Sequence, residues 1–245
     1  MKIINNILIL VFSVFLISCE QLESLLTEEE IAEGLKSALI VGTDTSVATV
    51  SAVDGYYKDE IIKILLPPEA EIIYEYKDDA LLVALGISDL IEDVIVRMNR
   101  AAEDAAKEAT PIFVGAITSM TIVDAIEILH SNDTAATHYL RGTTYYELKD
   151  LFQPKIDNSL DKALVAGIST NESWESLTVA YNSVAETFAG QLIGLTPVNT
   201  DLSEHVTRKG LDGLFLKVAE EEKDIREDPL ARVNDILKKV FGSLD

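Results

Sequence analysis

The chain of 245 residues is 48% hydrophobic and 25% charged, with 12 Gly, 6 Pro and one Cys, a globular profile that excludes fibrous and low-complexity architectures. Lys and Arg total 20 against 42 Asp and Glu, a formal net charge of −22. A field of that sign repels phosphate backbones and anionic headgroups, so nucleic-acid binding is not expected.

Lys2 precedes the apolar run Ile7–Leu16, which is too short to cross a hydrocarbon core of about 30 Å comfortably and has the layout of a secretory signal peptide. Leu16-Ile17-Ser18-Cys19 follows and resembles the bacterial lipobox, with the chain's single cysteine at the position that is lipidated. The expected organisation is a signal peptide over 1–18, a lipidated Cys19 with a short tether over 19–26, and a helical domain over 27–245. A lone thiol in an oxidising periplasm is a liability unless acylated, and stable anchoring takes more than one acyl chain, as the triacylated cysteine of bacterial lipoproteins supplies. Glu20 after the cysteine, by analogy with the sorting rule of Gram-negative bacteria, favours the outer membrane, with the body facing the periplasm.

From Thr27 onward the apolar spacing is helical nearly everywhere. Thr27-Glu28-Glu29-Glu30 reads as a capping box opening a helix with a stripe of Ile31, Leu35 and Leu39, which Gly42 is expected to close. A weaker helix over 43–53 meets the turn Asp54-Gly55, and a helix over 58–66 is stopped by Pro67-Pro68. A further helix is expected over 69–85. The clearest element runs from Asp89, capped by Ser88, to about Ala109, with Ile91, Val94, Met98, Ala101, Ala102 and Ala105 on one face and Asp93/Arg97 and Glu103/Lys107 paired on the other. Thr110-Pro111 and Thr121-x-x-Asp124 start two short helices. Asn132-Asp133-Thr134 restarts the chain into a helix to about Phe152, and Pro154 opens another to Val165. Helices over 171–184 and 202–226 flank a long loop at 190–200, and Asp228-Pro229 caps a last helix ending at Phe241. The sum is about ten helices without period-two alternation, hence an all-α single domain.

Motifs for chemistry are sparse. Glu127-x-x-His130 has the helical spacing of a di-iron ligand pair but lacks the second pair and the two further glutamates, and reads as a helix end. Ser159-x-x-Lys162 matches the nucleophile–base spacing of penicillin-recognising enzymes, yet no Lys-Thr-Gly follows. The run Glu220-Glu221-Glu222 reads as a solvated face. Gly210 and Gly213 interrupt an apolar helix at about 1 kcal/mol each relative to alanine, which close packing would offset. No catalytic set, metal site or cofactor is expected.

The segments Thr27–Lys36, Asp54–Lys58, Ile64–Glu69, Met98–Asp104, Ser119–Thr121, Thr134–Thr137 with Tyr139, Leu211–Phe215, Glu220–Lys223 and Leu237–Gly242 together resemble domain-of-unknown-function family 4197, over nearly the whole chain after Cys19. Gly210, where alanine is expected, and Val233-Asn234, where threonines are expected, depart from its pattern. The resemblance implies a bacterial envelope protein without an established activity. Its polar signature marks Asn99, Arg100, Thr134, Thr137, Tyr139, Arg141, Lys209 and Asp212 as candidate ligand or partner residues.

Three functions compete. The first is an anchored envelope protein that binds another envelope protein as scaffold or adaptor. The second is a small-molecule or lipid-binding protein, with Asn99, Arg100, Tyr139 and Arg141 converging on a cavity between helices. The third is a hydrolase using Glu103, Asp104 and Asp212. Clustering of the eight polar residues in a cleft argues for a site, and their dispersal as caps and salt bridges argues for architecture.

Overall fold

The computed structural model describes residues 26–71, 74, 87–162, 169–192, 194, 196–228 and 235–242. The lipobox with Cys19 and nearly all of the helix expected over 69–85 lie outside the described residues, apart from a 3-10 turn at Pro68–Ala70.

Thr27 Oγ1 accepts from the Glu30 N–H at 3.2 Å while the Glu30 carboxylate accepts from the Thr27 N–H at 2.9 Å, the reciprocal cap that opens helix α1, Glu28–Ser51. Gly42 does not close this helix, and the separate helix expected over 43–53 is its second half. Two features carry α1 through. The buried hydroxyls of Thr43 and Ser46 donate back to the Leu39 and Gly42 carbonyls at 2.7 Å each, so polar residues on the core face satisfy themselves. Gly42 also sits against α8 (Leu202–Glu227), where an added Cβ would lie 3.4 Å from Ile225 Cδ1.

Helix α2, Ile87–Ala106, buries Ile91, Val94, Met98, Ala101, Ala102 and Ala105, the face expected from spacing. Helices α3, Thr110–Ser119, and α4, Ile122–Leu129, begin where Pro111 and the Thr121–Asp124 capping box place them. Helix α5 is continuous from Ala135 to Leu160, with Pro154 inside it instead of opening a new element. An internal proline disfavours a helix by about 3 kcal/mol. Phe152, Ile156 and Leu160, all fully buried at helical spacing across the proline, hold the axis together. Ser169 and Glu172 form a third capping box ahead of α6, Thr170–Ala185. A five-residue helix α7, Phe188–Leu192, occupies part of the expected loop. Asp201 caps α8, and Asp228 terminates it, with the last helix α9 spanning Asp235–Gly242.

Among the described residues there are nine α-helices and no strand, an all-α single domain. Helix α8 is the central element and packs on α1, α2 and α5, while α3, α4 and α9 cover α1. Phe215 of α8 meets Phe113 edge-on at 5.8 Å and stacks on Tyr145 at 6.5 Å in the middle of the core. Helices α1 and α8 run antiparallel: Leu35 and Leu39 of α1 lie beside Glu222 and Arg226, whereas Tyr56, just beyond the end of α1, reaches Gly210. No single described helix is long and apolar enough to cross a membrane.

Candidate functional site

The residues expected to form a helix over 58–66 instead follow an irregular path of turns from Ala52 to Pro67. An irregular segment laid over a core must place its backbone N–H and C=O groups somewhere. Here side chains of α2 and α8 receive them. Asn99, fully buried, accepts from the Ile64 N–H at 2.9 Å and donates to the Ile64 carbonyl at 2.8 Å, pairing with that backbone as a neighbouring strand would. Its amide also donates to Ile95 O at 2.8 Å. Glu103 turns inward rather than pairing with Lys107, which bonds Asp104 at 3.0 Å. One Glu103 oxygen accepts from the Tyr56 and Tyr57 N–H groups at 3.2 and 3.4 Å, and the other takes Arg100 Nη1 at 2.6 Å. The second arm of the Arg100 guanidinium bonds Asp54, which stands in the left-handed region at φ 71°.

From the other side, the buried Tyr56 hydroxyl donates to Gly210 O at 2.6 Å and His205 Nε2 donates to Leu65 O at 3.0 Å. Lys217 binds Asp59 at 2.7 Å, whose carboxylate also accepts from the Ile61 N–H at 2.9 Å. Tyr57 is enclosed by Lys63, 4.2 Å from its ring centre, and donates to Glu92 at 2.7 Å. Gly213 permits this approach. A Cβ there would meet Tyr56 Cε1 at 2.7 Å and Ile62 Cβ at 3.1 Å, whereas one at Gly210 would meet only Ala102 Cβ at 3.4 Å. Gly213→Ala is therefore expected to destabilise by about 1–3 kcal/mol through overpacking. Gly210→Ala is expected to gain up to about 1 kcal/mol of helix propensity. Urea denaturation of the two variants checks the opposite signs.

Two of the aspartates that fasten this segment, Asp54 and Asp59, titrate low. Lys58 first, and Arg100 next, hold Asp54 below the usual aspartate range. Burial alone would raise Asp59, but Lys217 and the Ile61 and Ile62 N–H groups outweigh it and hold it low as well. A carboxyl whose folded pKa is depressed stabilises the fold above its unfolded value and ceases to do so as pH falls through the folded one. Protection of the amides in residues 54–64, the unstructured exchange rate at each pH divided by the observed rate, is thus expected to fall below about pH 4, and protection that stays constant with acid would contradict it.

A second junction uses the acidic run read as a solvated face. Glu220 is outward and pairs with Lys217 at 2.8 Å, but Glu222 is buried on the core face of α8. Its carboxylate accepts from the Ala136 N–H at 3.0 Å and from both the N–H and the hydroxyl of Thr137 at 2.8 Å, capping α5 from a different helix. Arg226, one turn on, contacts Glu222 at 3.0 Å and donates to the Leu129 and Ile128 carbonyls at 3.1 and 2.9 Å, closing the C-terminal end of α4. Negative charge meets a helix N-terminus and positive charge a helix C-terminus, the favourable sense for both dipoles. Thr134 bonds Asn132 at 3.1 Å in the turn between those helices.

The eight polar signature residues do not meet in one cavity. Asn99 and Arg100 fasten the 52–67 segment, Thr134 and Thr137 belong to the α4–α5 junction, and Arg141 pairs with Asp212 at 2.5 Å across α5 and α8, its guanidinium 5.3 Å from the Phe215 ring centre. Tyr139, its phenol pKa raised by burial, lines a shallow depression between α3 and α5 with Ser119, Thr143 and Glu147. Lys209 and Asp212 alone of the eight border a groove of about 410 Å³ between the 52–67 segment and α8. Ile61, Leu65, Leu66 and Pro68 form one wall, Gly213 and Leu216 the other, with Lys63, Glu71, Tyr74 and His205 completing it. Of the three carboxylates weighed for hydrolysis, only Asp212 lies there. Groups of three or more metal-binding side chains are absent among the described residues, and His130 is the C-cap of α4, at the helix end where the sequence places it. Ser159 and Lys162 fall on either side of the α5 terminus.

Sequence reasoning missed Tyr56, Asp59, Lys217 and His205, and it gave Glu103 and Glu222 other roles, the first as a surface pair or hydrolytic carboxylate and the second as part of a solvated face. The signal for Glu222 was present: Leu211, Phe215, Val218, Glu222 and Ile225 share one helical stripe. No curated protein and no solved structure matches the chain. A family model described as "Protein of unknown function (DUF4197)" matches residues 25–242, so the chain belongs to that family.

Proposed function

We propose that the protein is a lipid-anchored bacterial envelope protein that acts by binding, with the groove between the 52–67 segment and α8 as its contact surface. The observation that carries this reading is the fastening of an irregular segment by polar side chains: Tyr56, Ile62, Ile64 and Leu66 turn into the core while Ile61 and Leu65 stay outward. Ile61 is 73% and Leu65 44% exposed, yet the backbone on either side is pinned by Asn99, Glu103, Asp59 and His205. Preorganised backbone of this kind lowers the ordering penalty of binding. Apolar side chains on a rigid support make a recognition surface.

The anchor reading rests on the lipobox-like Leu16–Cys19. Residues 20–26 reach at most about 25 Å when extended, so an acylated Cys19 keeps α1's N-terminus near the bilayer. The groove lies at the opposite end of α1, about 35 Å away along a helix of this length. An anchored body presents it to the aqueous compartment.

A photocrosslinking residue in place of Leu65, in cells expressing the full chain, is expected to yield a reproducible adduct that Ile61→Asp removes. Absence of any reproducible adduct, or one indifferent to Ile61→Asp, contradicts the binding surface. Cys19→Ser is expected to move the protein out of the membrane fraction, and unchanged membrane association contradicts the anchor.

A further inference from the structure

We infer that the groove takes a single-chain aliphatic carboxylate, a ligand class that deepens the binding reading above and rests on it. The lining sets the chemistry. Ile61, Leu65, Leu66, Pro68, Gly213 and Leu216 present aliphatic surface with little aromatic area, and such walls suit a flexible hydrocarbon chain better than a ring or a sugar. A volume of about 410 Å³ lies at the small-ligand end of the range for binding sites.

Charge selects the head group. In a chain of net charge −22, this groove has two lysines at its border. Its two carboxylates differ in status: Asp212 is held by Arg141 at 2.5 Å, and Glu71 stands at the far wall with Pro68 and Tyr74. Lys63 is committed to the Tyr57 ring and approaches Glu92 at 3.9 Å. Lys209 is exposed and forms no ion pair among the described residues, one helical turn from Gly213 on the groove floor. A lone ammonium is a point charge that satisfies one monoanion, whereas phosphate recognition favours arginine forks or several cations. The carboxylate sits at Lys209, and the chain runs over Gly213 and Leu216 toward Leu65 and Ile61.

The test uses the full lipidated protein held in phosphatidylcholine nanodiscs and a decanoate analogue bearing a diazirine, with adducts mapped by peptide mass spectrometry. Saturable labelling is expected in peptides containing residues 61–66 and 211–216. Decanoate should compete about tenfold better than decanol, the factor of one charge-assisted contact. Lys209→Met, at an exposed site, should erase that preference while leaving labelling by the chain. Leu216→Asp should abolish labelling. Equal competition by decanol, stronger competition by decyl phosphate than by decanoate, labelling outside the groove, or none that saturates overturns the carboxylate assignment. If labelling fails but the Leu65 adduct persists and is removed by Ile61→Asp, the binding surface stands and only the ligand class falls. If both fail, the reading beneath it falls too.

Discussion

Glu222→Ala is expected to cost about 3–5 kcal/mol, the penalty for removing one partner of a buried ion pair, and to lower the thermal midpoint by roughly 10 °C in a domain of this size. The side chain reaches three donors on α5, two of them N–H groups of its first turn, and it neutralises Arg226, whose side chain is 8% exposed. Its removal orphans the N–H groups of Ala136 and Thr137 and takes from the Arg226 guanidinium the carboxylate that neutralises it in low dielectric. Glu222→Gln, which keeps an acceptor but drops the charge, should fall between the variant and the parent. Thermal unfolding followed by circular dichroism measures both. A loss below about 1 kcal/mol for the alanine variant, the level of an ordinary surface pair, would return Glu222 to the solvated face first read for it.

Asn99→Ala is expected to cost about 2–4 kcal/mol, because the buried N–H and C=O of Ile64 lose their partners together and each unsatisfied group carries its own penalty. The effect should also be local. Helix content should persist, since Asn99 lies on the buried face of α2 between Met98 and Ala101, which keep their packing. Segment 52–67 should loosen and the Leu65 crosslink should weaken. Asn99→Asp offers no rescue: a carboxylate accepts from Ile64 N–H but cannot donate to Ile64 O and Ile95 O. Equilibrium unfolding combined with crosslinking yield separates a clamp from a mere core residue, which would lower stability without changing the crosslink per folded molecule.

Helix caps and helix faces were the legible part of this chain. Thr27 with Glu30 and Thr121 with Asp124 are local signals, read correctly because donor and acceptor lie three residues apart. Gly42 and Pro154 misled for a common reason. Each weakens a helix intrinsically, and each is overruled by tertiary packing, Gly42 by its seat against Ile225 and Pro154 by the burial of Phe152 and Ile156 on either side of it. The stretch 58–66 was misread because its conformation is set by side chains some 35 positions later, such as Asn99 on Ile64. The polar signature was visible as a set of residues, but its division into clamps, a helix junction and the groove border depends on long-range pairing. Glu222 was a reading error rather than a missing signal, since its stripe was available in the apolar period.

The central claim is that the 52–67 segment, despite having no helix of its own, is a fixed scaffold for the outward-facing Ile61 and Leu65. Amide hydrogen exchange of the native full chain tests it most directly at Tyr56, Tyr57 and Ile64, whose N–H groups are held by Glu103 and Asn99. These amides are expected to exchange as slowly as those in the middle of α2 and at least about a hundredfold slower than those of residues 199–201, matching the few kcal/mol by which buried clamps separate stable from fraying regions. Exchange at the rate of that exposed loop would contradict the claim.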